Sequence, residues 1–310
     1  MDLIEKKLLF NIADIEGIPE GAYNIRANGA LASRHTTENI DIVTKKDKSG
    51  IDIFIKSGTK GETVHIPVII SQTGLNDLVY NDFHIGEDCD VTIVAGCGIH
   101  NCGSETSGHD GIHSFFVGKN SKLVYREKHY GDGGKEDVPE HGENVMNPTT
   151  IINLAAGSNM EMETTQIRGI DSTNRVTVAR LEADATLVIH EKLMTHGHQT
   201  ARTEFTVDLE GENSSTNVVS RSVAKDESNQ IFISKINGKN KCAGHTECDA
   251  IIMDNATVSA IPEIMATCPD ASLIHEAAIG KIAGEQLIKL MTLGLTEQEA
   301  EEQIVNGFLK

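Results

Sequence analysis

The chain has no tryptophan, and only four tyrosines and eight phenylalanines among its 310 residues, which excludes a single thick core built on aromatic rings. Basic residues are scarce as well. Lysine and arginine total 27 against 46 aspartates and glutamates, a formal net charge of −19, which argues against a nucleic-acid partner or an anionic membrane surface. No apolar run approaches the ~18 residues of a membrane span. The segment Met1–Ile12 mixes charges of both signs and does not read as a secretory leader, so a cytoplasmic location is expected. Two motifs are missing too: there is no Gly-x-x-x-x-Gly-Lys-Ser/Thr phosphate loop and no Gly-x-Ser-x-Gly nucleophile elbow. The chain is not expected to hydrolyse ATP by itself, and any energy input has to come from a partner.

What is abundant is glycine, at 28 residues, with a hydrophobic content of 39%. Thin aliphatic layers turned by glycine suit a stacked architecture. A turn signature recurs: Asn or Asp, then two residues, then usually an aliphatic one, at Asp88–Val91, Asn120–Leu123, Asn159–Met162, Asp184–Leu187, Asn255–Val258 and Asp270–Leu273, with a weaker copy at Asn213–Thr216. Asn and Asp tolerate the left-handed turn conformation, and the aliphatic residue after the turn faces a core. Short apolar strands such as Phe115–Val117, Val176–Val178 and Phe205–Val207 flank several copies. The pattern predicts a mainly β fold, a parallel β-helix or related β-solenoid. A β-sandwich is the alternative these signals leave open.

Two segments depart from the repeat. Residues 96–113 and 131–148 are rich in Gly, His and Asp and read as long excursions from the stack. The tail reads as helix, with Leu287, Leu290 and Met291 on one face and Gly294 as a stop. Thr296 and Glu299 then make a capping box for a second helix carrying Ala300, Ile304 and Phe308. The organisation expected is residues 1–60 as a segment leading into the solenoid, 61–276 as the β-helix core and 277–310 as a helical region.

Six cysteines, at 89, 97, 102, 242, 248 and 268, are expected to be reduced and free for metal or redox chemistry, or simply buried as small apolar residues. Cys248 opens an apolar strand, and His275 and Glu276 follow the last turn signature at strand spacing. If the turns stack, these residues fall on neighbouring coils, separated by one or two strand spacings of roughly 4.8 Å. Thiolate with imidazole suits iron or zinc. A second candidate is Cys97, His100 and Cys102 followed by His109 and His113, a possible metal-binding loop against the alternative of polar turn residues and buried thiols. A third group, His190, His196 and His198 near Glu191, reads as exposed or satisfied by hydrogen bonds.

The stretches Gly244–Met253 and Leu273–Ile282 resemble the C-terminal core of the SufB/SufD scaffold family. The shared pieces are Cys248–Ile252, Ile261–Glu263, His275–Ala277, Lys281–Ile282, Glu285–Leu287, Gly294–Leu295 and Ile304–Phe308, in that order. The resemblance implies a right-handed parallel β-helix with a C-terminal α-helical segment. It implies work as a scaffold on which a transient iron–sulfur cluster, 2Fe-2S or 4Fe-4S, is built. Carried over residue by residue, the cluster-assembly set is Cys248, His275 and Glu276. The helical region, with Leu287, Leu290, Met291, Ile304 and Phe308, would dock a SufC-like ABC-type ATPase. Two β-helix chains would pair through their last strands, and a sulfide donor would feed the site. Cys248 and Glu276 place the chain on the SufB-like side, and its shortness relative to bacterial members suggests a homodimer rather than pairing with a SufD-like chain.

Three rival readings remain at this stage. A β-helix hydrolase or lyase on acidic polysaccharide would need paired carboxylates along one face and usually a secretion signal. A mononuclear zinc or iron enzyme would centre on Cys97–His113. A SufD-like structural adaptor would need no cluster chemistry at all.

Overall fold

The computed structural model describes residues 2–133 and 141–310. The chain opens with helix α1 (Leu3–Ala13) and the strands β1 (Ala22–Ala27), β2 (Ala30–His35), β3 (Ile40–Thr44), β4 (Gly50–Ile55), β5 (Lys60–Ile70) and β6 (Asn76–Ile85). It continues through β7 (Asp90–His100), β8 (Ser107–Val117), β9 (Lys122–Asp132), β10 (Asn144–Met146), β11 (Thr149–Leu154), β12 (Asn159–Arg168) and β13 (Ser172–Leu181). Then come β14 (Thr186–Thr195), β15 (Thr200–Leu209), β16 (Ser215–Ala224), β17 (Asn229–Gly238), β18 (Cys242–Ile252), β19 (Thr257–Ala266) and β20 (Ala271–Gly280). Helices α2 (Gly284–Thr292) and α3 (Glu297–Phe308) complete it.

From β5 onward the strands alternate between two sheets, except that β10 and β11 together fill one position, and neighbours within each sheet are parallel. One sheet runs β2-β1-β5-β7-β9-β12-β14-β16-β18-β20 and the other β19-β17-β15-β13-β10-β8-β6-β4-β3, with β11 between β8 and β13. This is a parallel β-helix, each coil contributing one strand to each sheet. Register partners in the later coils lie 28 or 29 residues apart, as in Ser215 with Ala243 and Cys242 with Ala271. Strict alternation sends one side chain in two inward, so in β15 the residues Ala201, Thr203, Phe205, Val207 and Leu209 are all buried. The core is narrow, and its few rings stack along the axis: Phe83 and Phe115 lie 4.4 Å apart and near parallel.

The turns behave as the signature predicts at four copies, where Asp88, Asn120, Asp184 and Asn213 take positive φ. At two others the left-handed residue precedes the signature, at Gly157 and Asp254. Asp226 supplies a further left-handed turn outside the signature.

The first coils are covered by an element the sequence reading did not contain. Helix α1 is started by a full capping box, Asp2 with Glu5, and ends at the left-handed Asp14. It lies on the outer face of β7, where two glycines let it approach. A Cβ at Gly96 would stand 3.0 Å from Ile12, and one at Gly98 3.1 Å from Leu8. The reading of 96–113 as an excursion is therefore corrected: residues 96–100 close β7, 107–113 open β8, and only 101–106 form a loop. The glycines there mark close packing rather than a break in the strand. In the second segment 131–132 end β9 and 144–146 form β10, while 134–140 lie outside the described residues.

At the far end the tail folds along the flank. Val305 and Leu309 are buried against Val223 and Met253, with Met194, Ile251, Ile282 and Phe308 around them. The last coil stays uncovered: among the described residues no strand adjoins β19 or β20 beyond the final coil, and Ile261, Ile264, Met265, Ile274 and Ile279 are exposed on them. No helix among the described residues is long and apolar enough to cross a membrane.

Candidate functional site

The uncovered last coil carries the predicted histidine, and the strand beneath it, β18, carries the predicted cysteine. Cys248 is the fourth inward residue of β18, after Cys242, Gly244 and Thr246, and is 1% exposed. In the parallel ladder Cys248 pairs with Ala277 of β20, and Thr246 pairs with His275. Cys248 and His275 therefore share the inner face as diagonal neighbours, one strand across and two residues along, roughly 8 Å between Cα atoms. Adjacent residues of a strand face opposite ways, so Glu276 lies on the outer face. Its register partner there is Glu247, and its Oε2 lies 3.7 Å from Nε2 of His245. Of the three predicted residues, the fold brings Cys248 and His275 together and places Glu276 on the reverse side.

Burial, with the charges of Glu191 and Asp249 added, pushes the Cys248 thiol up to about 12. Burial and the neighbouring His245 hold the His275 imidazole below its ordinary value. Its Nδ1 is buried without a hydrogen-bond partner among the described residues. A protonated, shielded thiol has to lose its proton before it can act as a nucleophile or a ligand.

Behind Cys248 runs a chain of buried polar groups that the sequence reading missed. Asn81 Nδ2 donates to His113 Nε2 at 3.3 Å, which leaves the proton on Nδ1 to reach the Tyr125 hydroxyl at 2.8 Å. Tyr125 donates to Glu127 Oε1 at 2.9 Å, and Arg175 grips Glu127 Oε2 at 2.6 Å and donates to His129 Nδ1 at 3.1 Å. The same guanidinium lies 3.7 Å from Glu191, which accepts from Thr203 at 3.0 Å and from Ser220 at 2.7 Å. Ser220 is the register partner of Cys248, so the chain ends one strand from the thiol. Against the upward push of burial, His129 and Arg175 hold the Glu127 carboxyl well below the usual range. Glu191, with weaker compensation, is raised by burial. The available signal was charge in the inward phase of an alternating strand: Glu127 follows Leu123 and Tyr125 at spacing two, and Arg175 shares its phase with Thr173 and Thr177.

The second candidate set is divided by the same alternation. Cys97, His109 and His113 are buried on the inner face, around a cavity of about 10 Å³ shared with Glu127 and His129, room for one water molecule. His100 ends β7 and Cys102 lies exposed in the loop, their Nε2 and Sγ 3.2 Å apart. His109 is 3.6 Å from Asp77, whose two oxygens Arg26 holds at 2.7 Å each. The fold does not gather the five residues into one set: Cys97, His109 and His113 face inward from two strands, while His100 and Cys102 stand at the strand end and in the loop. Among the described residues, one group of three metal-ligating side chains has donor atoms within 4.8 Å of one another, and it is His245, Glu247 and Glu276.

The histidines near Glu191 match their expectation in part. His198 is exposed and 3.3 Å from Glu227, and His196 lies near the Gln199 amide. Glu191 itself is a core residue. Of the tail residues expected to dock a partner, Met291 is exposed, Leu287, Leu290 and Ile304 are half-buried, and Phe308 packs on the solenoid flank. Ile288 and Leu293 extend the exposed apolar surface beside Met291.

A family model described as SUF system FeS cluster assembly, SufBD core domain, matches residues 76–308. An iron-sulfur cluster assembly SufBD family protein of Archaeoglobus fulgidus is 30% identical over 261 residues, covering 83% of this chain and 68% of that protein. One from Methanocaldococcus jannaschii is 28% identical over 263 residues, 83% of this chain and 79% of that protein. A shorter match of 104 residues to a Pyrococcus horikoshii protein of the same description reaches 41% identity and covers 33% of this chain and 23% of that protein.

Proposed function

This chain belongs to the SufBD family of iron–sulfur cluster assembly proteins, and on that premise we propose that it is a SufB-like scaffold on which a nascent cluster is built between two copies of the chain. The observation that carries the proposal is that Cys248 on β18 and His275 on β20 share an inner face at the end of the stack, where no strand among the described residues lies beyond β20. Exposed strand edges with Ile261 and Ile274 at their surface favour pairing with another sheet. A two-fold pairing through β19 and β20 would be isologous and would bring two Cys248/His275 pairs to one axis.

In this reading iron and sulfide are the cargo. Cys248 binds sulfur or iron as thiolate, His275 ligates iron through its neutral imidazole, and Glu276 offers a hard ligand or proton acceptor at the outer rim. The thiol is protonated and covered in the single chain, so loading requires the coil to open. A SufC-like ABC-type ATPase bound at the tail, where Ile288, Met291 and Leu293 are exposed, would supply that motion. The helices are suited to transmit it because α3 is packed directly on the coils of β16 and β18 through Val223, Ile251 and Met253.

The test compares wild type with the double variant Ile261→Asp, Ile274→Asp by light scattering and anaerobic cluster reconstitution. Both positions face outward, so the inner stack is left in place. The proposal expects a wild-type dimer that takes up iron and sulfide, and a variant that is monomeric and loses most of the sulfide. A wild-type monomer that assembles a cluster, or a monomeric variant that assembles one as well, would overturn the interface reading.

A further inference from the structure

The outer face of the last two coils holds an arrangement that the thiol chemistry does not use. His245 and Glu247 are consecutive outward residues of β18, and Glu276 stands opposite Glu247 on β20. Two carboxylates directly opposed on neighbouring strands repel each other unless a positive charge lies between them. Asp249, next along the same face, adds to the excess. Arg221 stands in register with Asp249 and Lys192 with Arg221, so these cations lie toward the end of the row away from His245.

His245 is oriented by a neighbour. Its Nδ1 lies 2.8 Å from Oδ1 of Asn217, an atom that only accepts, so the ring proton sits on Nδ1. Nε2, which carries the lone pair when the proton is on Nδ1, is 3.7 Å from Oε2 of Glu276. A metal-bound histidine has this construction, with the far nitrogen donating to an oxygen and the near nitrogen left as ligand. One donor atom each from His245, Glu247 and Glu276 falls within 4.8 Å of the others. Donors around a first-row cation with bonds of about 2.1 Å lie roughly 3 to 4 Å apart, and the exposed Glu276 side chain can close that gap by rotation.

We infer that His245, Glu247 and Glu276 form an outward-facing site for a first-row divalent cation, separated from Cys248 by the thickness of strand β18. One imidazole and two carboxylates suit Fe2+, Mn2+ or Zn2+, leaving further positions open to water. The site needs neither the thiol nor a second subunit, so it stands or falls apart from the scaffold reading.

Anaerobic titration of the full chain with Co2+ separates the two faces, because thiolate ligation produces intense charge-transfer absorption and nitrogen and oxygen donors do not. The inference expects one Co2+ per chain with weak visible bands alone, unchanged in Cys248→Ser. Affinity falls at least about 10-fold in Asn217→Ala, which frees the ring, as for other outer-shell partners, and further in His245→Ala and Glu247→Gln. Circular dichroism checks that each variant is folded. Thiolate absorption that disappears in Cys248→Ser, equal affinity in His245→Ala and Glu247→Gln, or no Co2+ uptake by folded wild type would each overturn it.

Discussion

The resting state of Cys248 is open to a direct chemical measurement. Its sulfur lies on the inner face of β18 at 1% exposure, and burial with the charges of Glu191 and Asp249 shifts its acidity from 9.0 to about 12. Three pH units reduce the thiolate population about a thousandfold relative to an ordinary cysteine, and at pH 7.5 only about 3 in 100,000 molecules carry it. Alkylating reagents attack the thiolate, so Cys248 should react with iodoacetamide at least about 1,000-fold more slowly than a cysteine peptide. The steric cover of the coil slows it further. Mass spectrometry of digests taken over time gives the rate at each cysteine, with the exposed Cys102 as an internal comparison. In denaturant the difference should vanish. Alkylation of Cys248 in the native chain within tenfold of the peptide would refute both the burial argument and the need for an opening step.

Two further predictions concern the buried polar chain. Replacing Arg175 by Met leaves Glu127 and Glu191 in the core without the guanidinium that contacts both, a loss expected to cost about 3–5 kcal/mol. In wild type the depressed Glu127 carboxyl contributes stability that is present above its unfolded value near ~4.3 and lost as pH falls, and removing Arg175 takes away part of that depression. The deficit in the urea midpoint should therefore be largest at neutral pH, shrink toward pH ~4 and be partly restored by adding Glu127→Gln. An equal deficit at both pH values would count against it. His113 works the other way: burial lowers it from 6.5 to about 4, so it is folded as the neutral ring and its contribution is present above pH 6.5 and lost as pH falls toward 4. That contribution amounts to about 3 kcal/mol. Wild type should lose stability more steeply than His113→Asn across this window, and parallel pH profiles for the two would exclude the assignment.

The periodic parts of this fold were legible in the sequence. The Asx turns at Asp88, Asn120, Asp184 and Asn213 announced themselves because a left-handed residue without glycine is chemically restricted. The tail capping box at Thr296 and Glu299 was equally local. Helix α1 was not foreseen, since four of its eleven residues are buried only by tertiary contact with β7 and its neighbours. Residues 96–113 misled because glycine and histidine were read as loop chemistry. In the fold, Gly96 and Gly98 admit α1, and a Cβ at Gly111 would meet the rings of His113 and His109 at 3.1 and 3.3 Å. The site itself was half legible. Cys248 and His275 fall on one inner face, but Glu276, being the next residue of a strand, has to leave it. Its partners His245 and Glu247 alternate at spacing two just before Cys248, and only the register of β18 with β20 joins them to it.

The most direct test of the scaffold account is anaerobic reconstitution of the purified chain with iron and sulfide, counting both per chain in wild type and Cys248→Ser. The account predicts an oxygen-sensitive chromophore with iron and acid-labile sulfide in the wild type and its loss in the variant. Full retention of iron and sulfide by Cys248→Ser would contradict it and move cluster chemistry away from the last coil.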